Sequence, residues 1–189
     1  MDSLGFCENR TGTAKTAAHA LNISHPDEAT LVAAAAYVLA GFEGKAQGTA
    51  QPIAHIRPDN MFVQVFGYPL VQALIAINHN QAERALELLR PSAAYSDSAS
   101  AYVRATAYIR VNKAQEAVHE FQRIRDLHSF QPGDPLISLA ILGQARSYRL
   151  LGDTNKARTT YQDFFALWKD ADPDVPILKQ AKTEYAKLQ

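Results

Sequence analysis

Three arginines are the residues of this sequence best suited to holding a charged ligand. Arg146 and Arg149 lie three positions apart, so a helix would place them on one face, and Arg110 lies near the end of an earlier helical segment. A guanidinium group can hold a carboxylate or a phosphate through two parallel hydrogen bonds. The arginines therefore predict a site for an acidic partner. The alternative is that they pair with local acids or are simply solvated.

The other reactive side chains form no pattern typical of catalysis or of a metal site. The 6 histidines have no tight ligand spacing, and Cys7, the only cysteine, has no CxxC partner. The acids of Asp170–Asp174 alternate as at the start of a calcium loop, but Val175 and Ala181 stand where Gly and Glu are needed. No phosphate-binding glycine motif occurs. We therefore expect no catalytic residue, no cofactor and no metal ion, and we expect these acids to cap the last helix.

Composition places further limits on the partner. The 189 residues contain 19 basic and 19 acidic side chains, so a broad basic face for nucleic acid is not expected. No apolar run approaches the length that spans a bilayer, so we expect no membrane insertion. A single cysteine cannot form an internal disulfide, which is consistent with a reducing, cytoplasmic compartment rather than an extracytoplasmic one.

The elements that must position the arginines follow from a spacing that occurs four times. Each copy has five positions. The first is a small residue, the second follows three residues later, and the third, a Gly or Asn, four residues after that. The fourth, an alanine, comes five residues further on, and the fifth and last comes four residues beyond it. We call this spacing the frame. Its copies are Ala34-Tyr37-Gly41-Ala46-Ala50, Ala73-Ala76-Asn80-Ala85-Leu89, Ala105-Tyr108-Asn112-Ala117-Phe121 and Ala145-Tyr148-Gly152-Ala157-Tyr161.

The frame predicts a pair of helices joined by a tight turn. Its first two positions share one helix face, and its last two share a face of the returning helix. Gly and Asn are the residues that best tolerate the left-handed backbone that ends such a helix. A short turn makes the two helices antiparallel. One such pair cannot bury its apolar stripe alone, so we expect the pairs to stack.

The frame resembles the tetratricopeptide repeat, a helix–turn–helix unit of about 34 residues. The resemblance implies an all-α fold, a right-handed superhelical stack of antiparallel helix pairs closed by a C-terminal capping helix. The sequence departs from the family pattern because no copy has the early tryptophan, and because Ala76 and Ala50 stand where aromatic residues are usual.

In the family, the first helices of the pairs line a concave surface that binds peptides. Counting from the small residue of each copy then predicts a groove that is apolar at one end and basic at the other. Its lining residues would be Leu70, Leu74, Ile77, Tyr102, Thr106, Ile109, Arg110, Leu142, Arg146 and Arg149.

The predicted domain organisation is a single array covering residues 1–189. Residues 1–26 would form a partial leading copy, and we expect the chain to be part of a longer protein cut within the array; a native start with a capping first helix is the alternative. The complete copies would span 27–58, 59–95, 96–133 and 134–172, followed by a capping helix over 173–189.

Local signals predict several helix boundaries. Asp27, Asp97 or Ser96, and Asp134 are candidate N-caps. Gly67 and Pro69 predict an irregular segment that leads into a regular helix over 68–78. In the capping helix, Ile177, Leu178, Ala181, Tyr185 and Leu188 should face the protein. Lys179, Lys182, Glu184 and Lys187 should face water.

The segment from Tyr102 to Gln189 also resembles the C-terminal part of a group of bacterial tetratricopeptide-repeat proteins. Many of these are large serine/threonine protein kinases, and others are winged-helix regulators. The resemblance implies a non-catalytic scaffold that binds a protein or peptide, as the C-terminal regulatory region of such a kinase. The alternatives are a self-association module, with homo-oligomers, and the repeat part of a winged-helix regulator.

Overall fold

The computed structural model describes residues 26–95, 97–127 and 133–188, and all regular structure in these ranges is helical. The predicted all-α class is therefore confirmed for this part of the chain. The expectations for residues 1–25, including Cys7 and the partial leading copy, lie outside the described residues. The chain divides into two compact units, one up to Ala94 and one from Tyr95. The boundary falls between the second and third predicted copies.

The first unit contains two helix pairs. Helix α1 (Pro26–Leu39) packs against α2 (Glu43–Ile56), and α3 (Tyr68–Asn78) packs against α4 (Ala82–Leu88). The first helices α1 and α3 also contact each other. A short 3₁₀ turn, Pro91–Ala94, follows α4.

The second unit contains two further pairs and a terminal helix. The pairs are α5 (Ser98–Arg110) with α6 (Ala114–Asp126), and α7 (Leu136–Leu150) with α8 (Thr154–Leu167). Helix α9 (Pro176–Ala186) follows. Helix α7 packs against both α6 and α8, it contacts the other first helix α5, and α9 lies against α8. Among the described residues, no helix combines the length and apolar character needed to cross a membrane.

All four pairs are closed by the same backbone turn. Its third frame residue has a positive φ in every copy: 79° at Gly41, 58° at Asn80, 59° at Asn112 and 75° at Gly152. In each turn the following residue donates its backbone N–H to the carbonyl of the second frame residue, at 2.8–3.0 Å. This pattern is the Schellman motif, which satisfies carbonyls that a helix end leaves without partners. The predicted role of the Gly and Asn positions is confirmed.

The remaining frame positions form the contact between the two helices of each pair. The first, fourth and last positions are at most 2% exposed in all four copies. The alanines let the helix axes approach closely, and the last position fills the adjacent space with residues that range from Ala50 to Tyr161. The second position is less uniform, since Ala76 is buried whereas Tyr37, Tyr108 and Tyr148 are half-buried. The first, fourth and last frame positions are therefore buried in both units.

The irregular segment predicted around Gly67 and Pro69 is a stretch of π-helix, Phe62–Gly67, that runs directly into α3. Pro69 has no N–H, so it cannot donate to the carbonyl four residues earlier. The Tyr68 N–H bonds to the Val63 carbonyl instead, five residues back. Gly67 also lies against Leu31 of α1, and an added Cβ would come within 2.5 Å of that side chain.

Two of the predicted caps differ from the structure. Asp27 is not an N-cap, because α1 already includes Pro26; its carboxylate lies 2.9 Å from Nε of Arg57. Asp174 does not cap α9, which begins after Val175 without a side-chain cap, and it pairs with Lys179 at 2.8 Å.

Asp97 is confirmed as the N-cap of α5, whereas Asp134 lies one residue before Pro135, the N-cap of α7. Asp97 accepts hydrogen bonds from the N–H groups of Ala99 and Ser100, as predicted. Asp134 accepts the Leu136 N–H, and its second oxygen accepts the hydroxyl of Ser98 at 2.6 Å. It thereby joins the starts of the two first helices α5 and α7.

The core of the second unit contains one contact that depends on the absence of a side chain. The ring of Phe121, on α6, lies on Gly143 in the middle of α7, and a Cβ at Gly143 would be 2.3–2.7 Å from three ring atoms. Phe121 also meets the ring of Tyr102 edge-on at 5.7 Å. The glycine therefore allows the aromatic side chain to fill the space between α5, α6 and α7.

Replacement of Gly143 by alanine should destabilise the second unit by about 1–3 kcal/mol, because the Phe121 ring must move. Urea unfolding followed by the fluorescence of Trp168, the only tryptophan, measures this effect. The control is Gly48→Ala in α2 of the first unit, where an added Cβ meets nothing within 4 Å; its unfolding is followed by circular dichroism, because Trp168 lies in the second unit. That change should raise helix stability by about 0.5–1 kcal/mol. An unchanged midpoint for Gly143→Ala would contradict the packing described.

Replacement of Gly152 by alanine should cost about 1–2 kcal/mol through backbone strain alone, since its φ is +75° and no atom lies within 4 Å of the added Cβ. Gly152→Asn should cost less, because asparagine occupies the same position at Asn80 and Asn112. The same fluorescence measurement compares the two variants. Equal losses would show that the left-handed conformation is not the cause.

Candidate partner-binding surface

The ten predicted groove residues divide between the two units. Leu70, Leu74 and Ile77 belong to α3 of the first unit, where Leu70 is half-buried and the other two are buried. The remaining seven belong to α5 and α7 of the second unit. Leu142 is 1% exposed and belongs to the core cluster of that unit. Ile77 and Leu142 thus have almost no surface to offer a ligand.

The α5 side of the predicted surface consists of half-buried side chains. Ile109 and Tyr102 pack against the core cluster, and the Thr106 hydroxyl donates to the Tyr102 carbonyl at 2.9 Å. Arg110 is half-buried at the last turn of the helix. Burial raises the pKa of the Tyr102 phenol, and the positive charge of Arg146 opposes that rise. Arg146 therefore acts electrostatically on α5 as well as on its own surroundings.

The α7 side carries the two arginines, and their environments differ. Arg146 donates from Nε to Oε2 of Glu184, on α9, at 2.8 Å, and its side chain is 27% exposed. Arg149 is exposed. It is still close enough for its positive charge to act on Glu184 and on Tyr161. The alternative weighed for these arginines was that they pair with local acids or are solvated. Arg146 pairs with an acid, and Arg149 is exposed to solvent.

Glu184 is the centre of a polar cluster that joins three helices. Its Oε2 atom accepts both from Arg146 and from the hydroxyl of Tyr161 on α8, at 2.8 Å each. Its Oε1 atom accepts from Gln180, one turn earlier on α9, at 3.0 Å. The expectation that Glu184 faces water is wrong, because its side chain is only 13% exposed. The carboxylate turns inward because cationic and hydroxyl donors lie there.

The charges of this cluster shift two pKa values. Burial acts to raise the pKa of Glu184, but the hydrogen bond and charge of Arg146, helped by Tyr161 and Arg149, outweigh it and lower the pKa. For Tyr161 the burial and the neighbouring carboxylate act in the same direction, so its pKa is raised. The cluster therefore holds an ionised carboxylate beside a neutral phenol and a cation.

Other polar contacts in the second unit are structural links between helices. Arg104 on α5 and Glu120 on α6 form a buried ion pair at 2.7 Å. Gln144 on α7 is hydrogen-bonded to both Arg125 and Gln122 of α6. Each link fixes the position of α6 between α5 and α7. None of these three contacts was predicted, since the sequence does not indicate which polar residues of two helices will meet.

The histidines and acids of the described chain form few contacts with each other. In the first unit, Nε2 of His79 lies 2.9 and 3.0 Å from the two carboxylate oxygens of Glu43. This pair borders a shallow depression between α2 and the end of α3. Within the described ranges, no group of three or more His, Cys, Asp or Glu side chains is arranged to hold a metal ion.

No family model, no curated protein and no solved structure matches this chain. In the second unit, an exposed cation, Arg149, lies one helical turn from a cation already engaged by a carboxylate, Arg146. Such an arrangement can bind acidic groups.

Glu184 and the Tyr161 hydroxyl were not predicted as members of this site. A signal was present, because Leu178, Ala181 and Glu184 repeat the three-residue steps of Leu142, Ala145 and Tyr148. Leu178 and Ala181 are buried as their counterparts are. Helix α9 thus follows the frame of a first helix, with a glutamate where the aromatic residue would stand.

Replacement of Glu184 by glutamine should lower the free energy of unfolding at about pH 7 by about 1–3 kcal/mol, because Arg146 loses its charged partner. The pKa of Glu184 is lower in the folded protein, so its contribution is present at neutral pH and is lost as the pH falls through that lowered value. The gap between wild type and variant should therefore shrink at about pH 3.

The measurement is urea unfolding at both pH values, followed by Trp168 fluorescence. Glu116→Gln, at an exposed position of α6, is the control and should change stability by less than about 0.5 kcal/mol. A gap of the same size at the two pH values would mean that the ionised form of Glu184 is not what stabilises the protein.

Proposed function

We propose that this chain is a non-catalytic scaffold that binds an acidic protein or peptide through the first helices of its second unit. The site would consist of the exposed parts of Tyr102, Thr106, Ile109, Arg110, Arg146 and Arg149. The observation that carries the proposal is the exposed guanidinium of Arg149. It lies one helical turn from Arg146 on α7, the first helix of its pair.

The repeated hairpin supports a finer proposal about architecture, namely that the pairs stack as in tetratricopeptide-repeat proteins to form a right-handed superhelix. Four pairs share the same turn and the same buried alanines, and within each unit the two first helices contact each other. Repeats of this kind present their first helices along one continuous concave surface. That surface includes Arg149 and the half-buried residues of α5.

Charge supports an acidic partner. Arg149 and Arg110 lie in the last turns of α7 and α5, where the helix dipole favours cations and where side chains extend past the helix end. Arg146 already binds a carboxylate in the same region. A partner that supplies carboxylate or phosphate groups would therefore find matching donors, with affinity that depends on salt concentration.

The resemblance of the segment from Tyr102 onwards supports a place for this scaffold in a bacterial signalling protein. We propose that it serves as the regulatory region of a serine/threonine protein kinase, and that its role is to recruit a partner or substrate rather than to react with it. The repeat part of a winged-helix regulator would use the same surface in the same way.

Selection of a random peptide library on the immobilised chain tests the proposal directly. We expect the selected peptides to be acidic and to bind at least about 10-fold more weakly to the Arg149→Glu variant, a loss of about 1.4 kcal/mol or more. Arg149 is the position to change, because Arg146→Glu would also place two carboxylates together and disturb α9.

Arg158→Glu is the matched control. Arg158 is an exposed arginine on α8, so the substitution changes net charge equally without altering the first-helix surface. Circular dichroism of both variants checks that helix content is unchanged. Selected peptides that are not acidic, or that lose affinity equally for both variants, would count against the proposal.

A further inference from the structure

The C-terminal helix α9 lies on a face formed by Arg146 of α7 and by Tyr161 and Phe165 of α8, which we call the α9-binding face. Tyr185 of α9 meets the rings of Tyr161 and Phe165 edge-on, at 6.0 and 5.6 Å. Its hydroxyl also accepts the side-chain amide N–H of Gln162, at 3.0 Å. The polar and aromatic contacts of the face with α9 are therefore the two ring contacts of Tyr185 and the half-buried carboxylate of Glu184.

Helix α9 is less firmly held than the helices before it. Leu178 and Ala181 are the buried residues among its 11, and Ile177 and Tyr185 pack against the core while partly exposed, whereas α7 buries eight of 15. Its outward side is polar and exposed, with Lys179, Lys182 and Lys187. Elements with few buried apolar contacts open locally at lower free energy than the rest of a fold. The link from α8, residues 168–175, contains no helix that would have to unfold.

What α9 leaves behind determines what can replace it. Without Glu184, Arg146 and the Tyr161 hydroxyl would lose the carboxylate that satisfies both of them. Water could solvate both groups while the face is open, but a helix that covered them without supplying an acceptor would leave a cation and a hydroxyl buried without a partner, which is costly. An apolar helix would leave Arg146 and the Tyr161 hydroxyl without a partner. A helix that carries a carboxylate at the same position would supply one. The face thus selects for an acid on a helix.

We propose that the α9-binding face is a docking site for an amphipathic helix of a partner protein, and that α9 occupies it as an internal competitor. The partner helix would carry an apolar residue, then a small residue three positions later, and a glutamate or aspartate three positions after that. This is the pattern of Leu178, Ala181 and Glu184. The inference rests on the proposed function, since it specifies how the acidic partner reaches Arg146.

The competition has a direct consequence for affinity. A helix tethered by a short link has an effective concentration of about millimolar at its own site. A partner helix of equal intrinsic affinity must therefore overcome this occupancy, and its apparent affinity falls accordingly. Weakening the hold of α9 should raise the affinity of a helix supplied separately.

A fluorescein-labelled synthetic peptide of residues 174–188, added to the full chain, tests the proposal. The peptide should bind the Glu184→Gln chain at least about 10-fold more tightly than wild type, as measured by fluorescence anisotropy, because the competitor is weaker. A peptide with the same substitution should bind that chain at least about 10-fold more weakly than the unmodified peptide. Lys182→Gln, made in either molecule, is the control and should change neither affinity.

A second variant covers the case in which Glu184→Gln leaves α9 in place. Ala181 is fully buried, so Ala181→Leu in the chain should force α9 away and give the same gain in peptide affinity. If circular dichroism shows that both variants are folded and neither binds the peptide more tightly than wild type does, the proposal is overturned. It is also overturned if binding does not depend on the glutamate of the peptide.

Sedimentation of the wild-type chain tests whether a second copy of the chain, rather than a different protein, supplies the docking helix. A monomer at the concentrations of the binding experiment supports a separate partner. A dimer that dissociates when the peptide is added would show that a second copy supplies the helix, which would overturn the proposal of a different protein. The two proposals can fail separately. If the selected peptides bind wild type and Arg149→Glu equally well while the α9 peptide still exchanges, only the proposed site for acidic peptides is rejected.

Discussion

The close approach of two helices at a buried alanine is the constraint on which each hairpin depends. The first and fourth frame positions are fully buried alanines in all four copies, so neither adds bulk to the contact between the paired helices. Such contacts bring the two helix axes together only if the turn between them is short and correctly directed. The left-handed residue at Gly41, Asn80, Asn112 or Gly152 provides that direction. Packing and turn geometry therefore support each other, and a change in either one alters both.

This dependence explains how much of the fold could be predicted. The small residues and the turn residues act through local sterics, so their spacing was sufficient to predict the four pairs. Pro69 also predicted the irregular segment before α3, because a missing N–H changes the hydrogen bonds of the neighbouring turn. Gly143 was not predicted, since its importance comes from the Phe121 ring on another helix. The sequence does not show which residue will pack against a glycine inside a helix.

The candidate site shows the same division between local and non-local information. Helical spacing was enough to place Arg146 and Arg149 on neighbouring turns of α7. It did not give the partner of Arg146, because Glu184 comes from a helix 38 positions later. Amphipathic spacing placed Glu184 among the lysines that face water, but electrostatics turned it inward. The attraction of a cation and a phenol outweighed the cost of partly burying a carboxylate.

The polar cluster at Glu184 also explains why α9 can be both part of the fold and a candidate for exchange. Its apolar side contributes two buried residues, with Ile177 and Tyr185 packed against the core while partly exposed, and one carboxylate shared by Arg146 and Tyr161 adds a polar contact. Apolar contacts accept many side chains of similar size, whereas a cation and a hydroxyl that converge on one point require a specific charge there. A face built in this way discriminates among helices by that charge. It would exclude a helix that is merely apolar, because that helix would leave Arg146 without an anion.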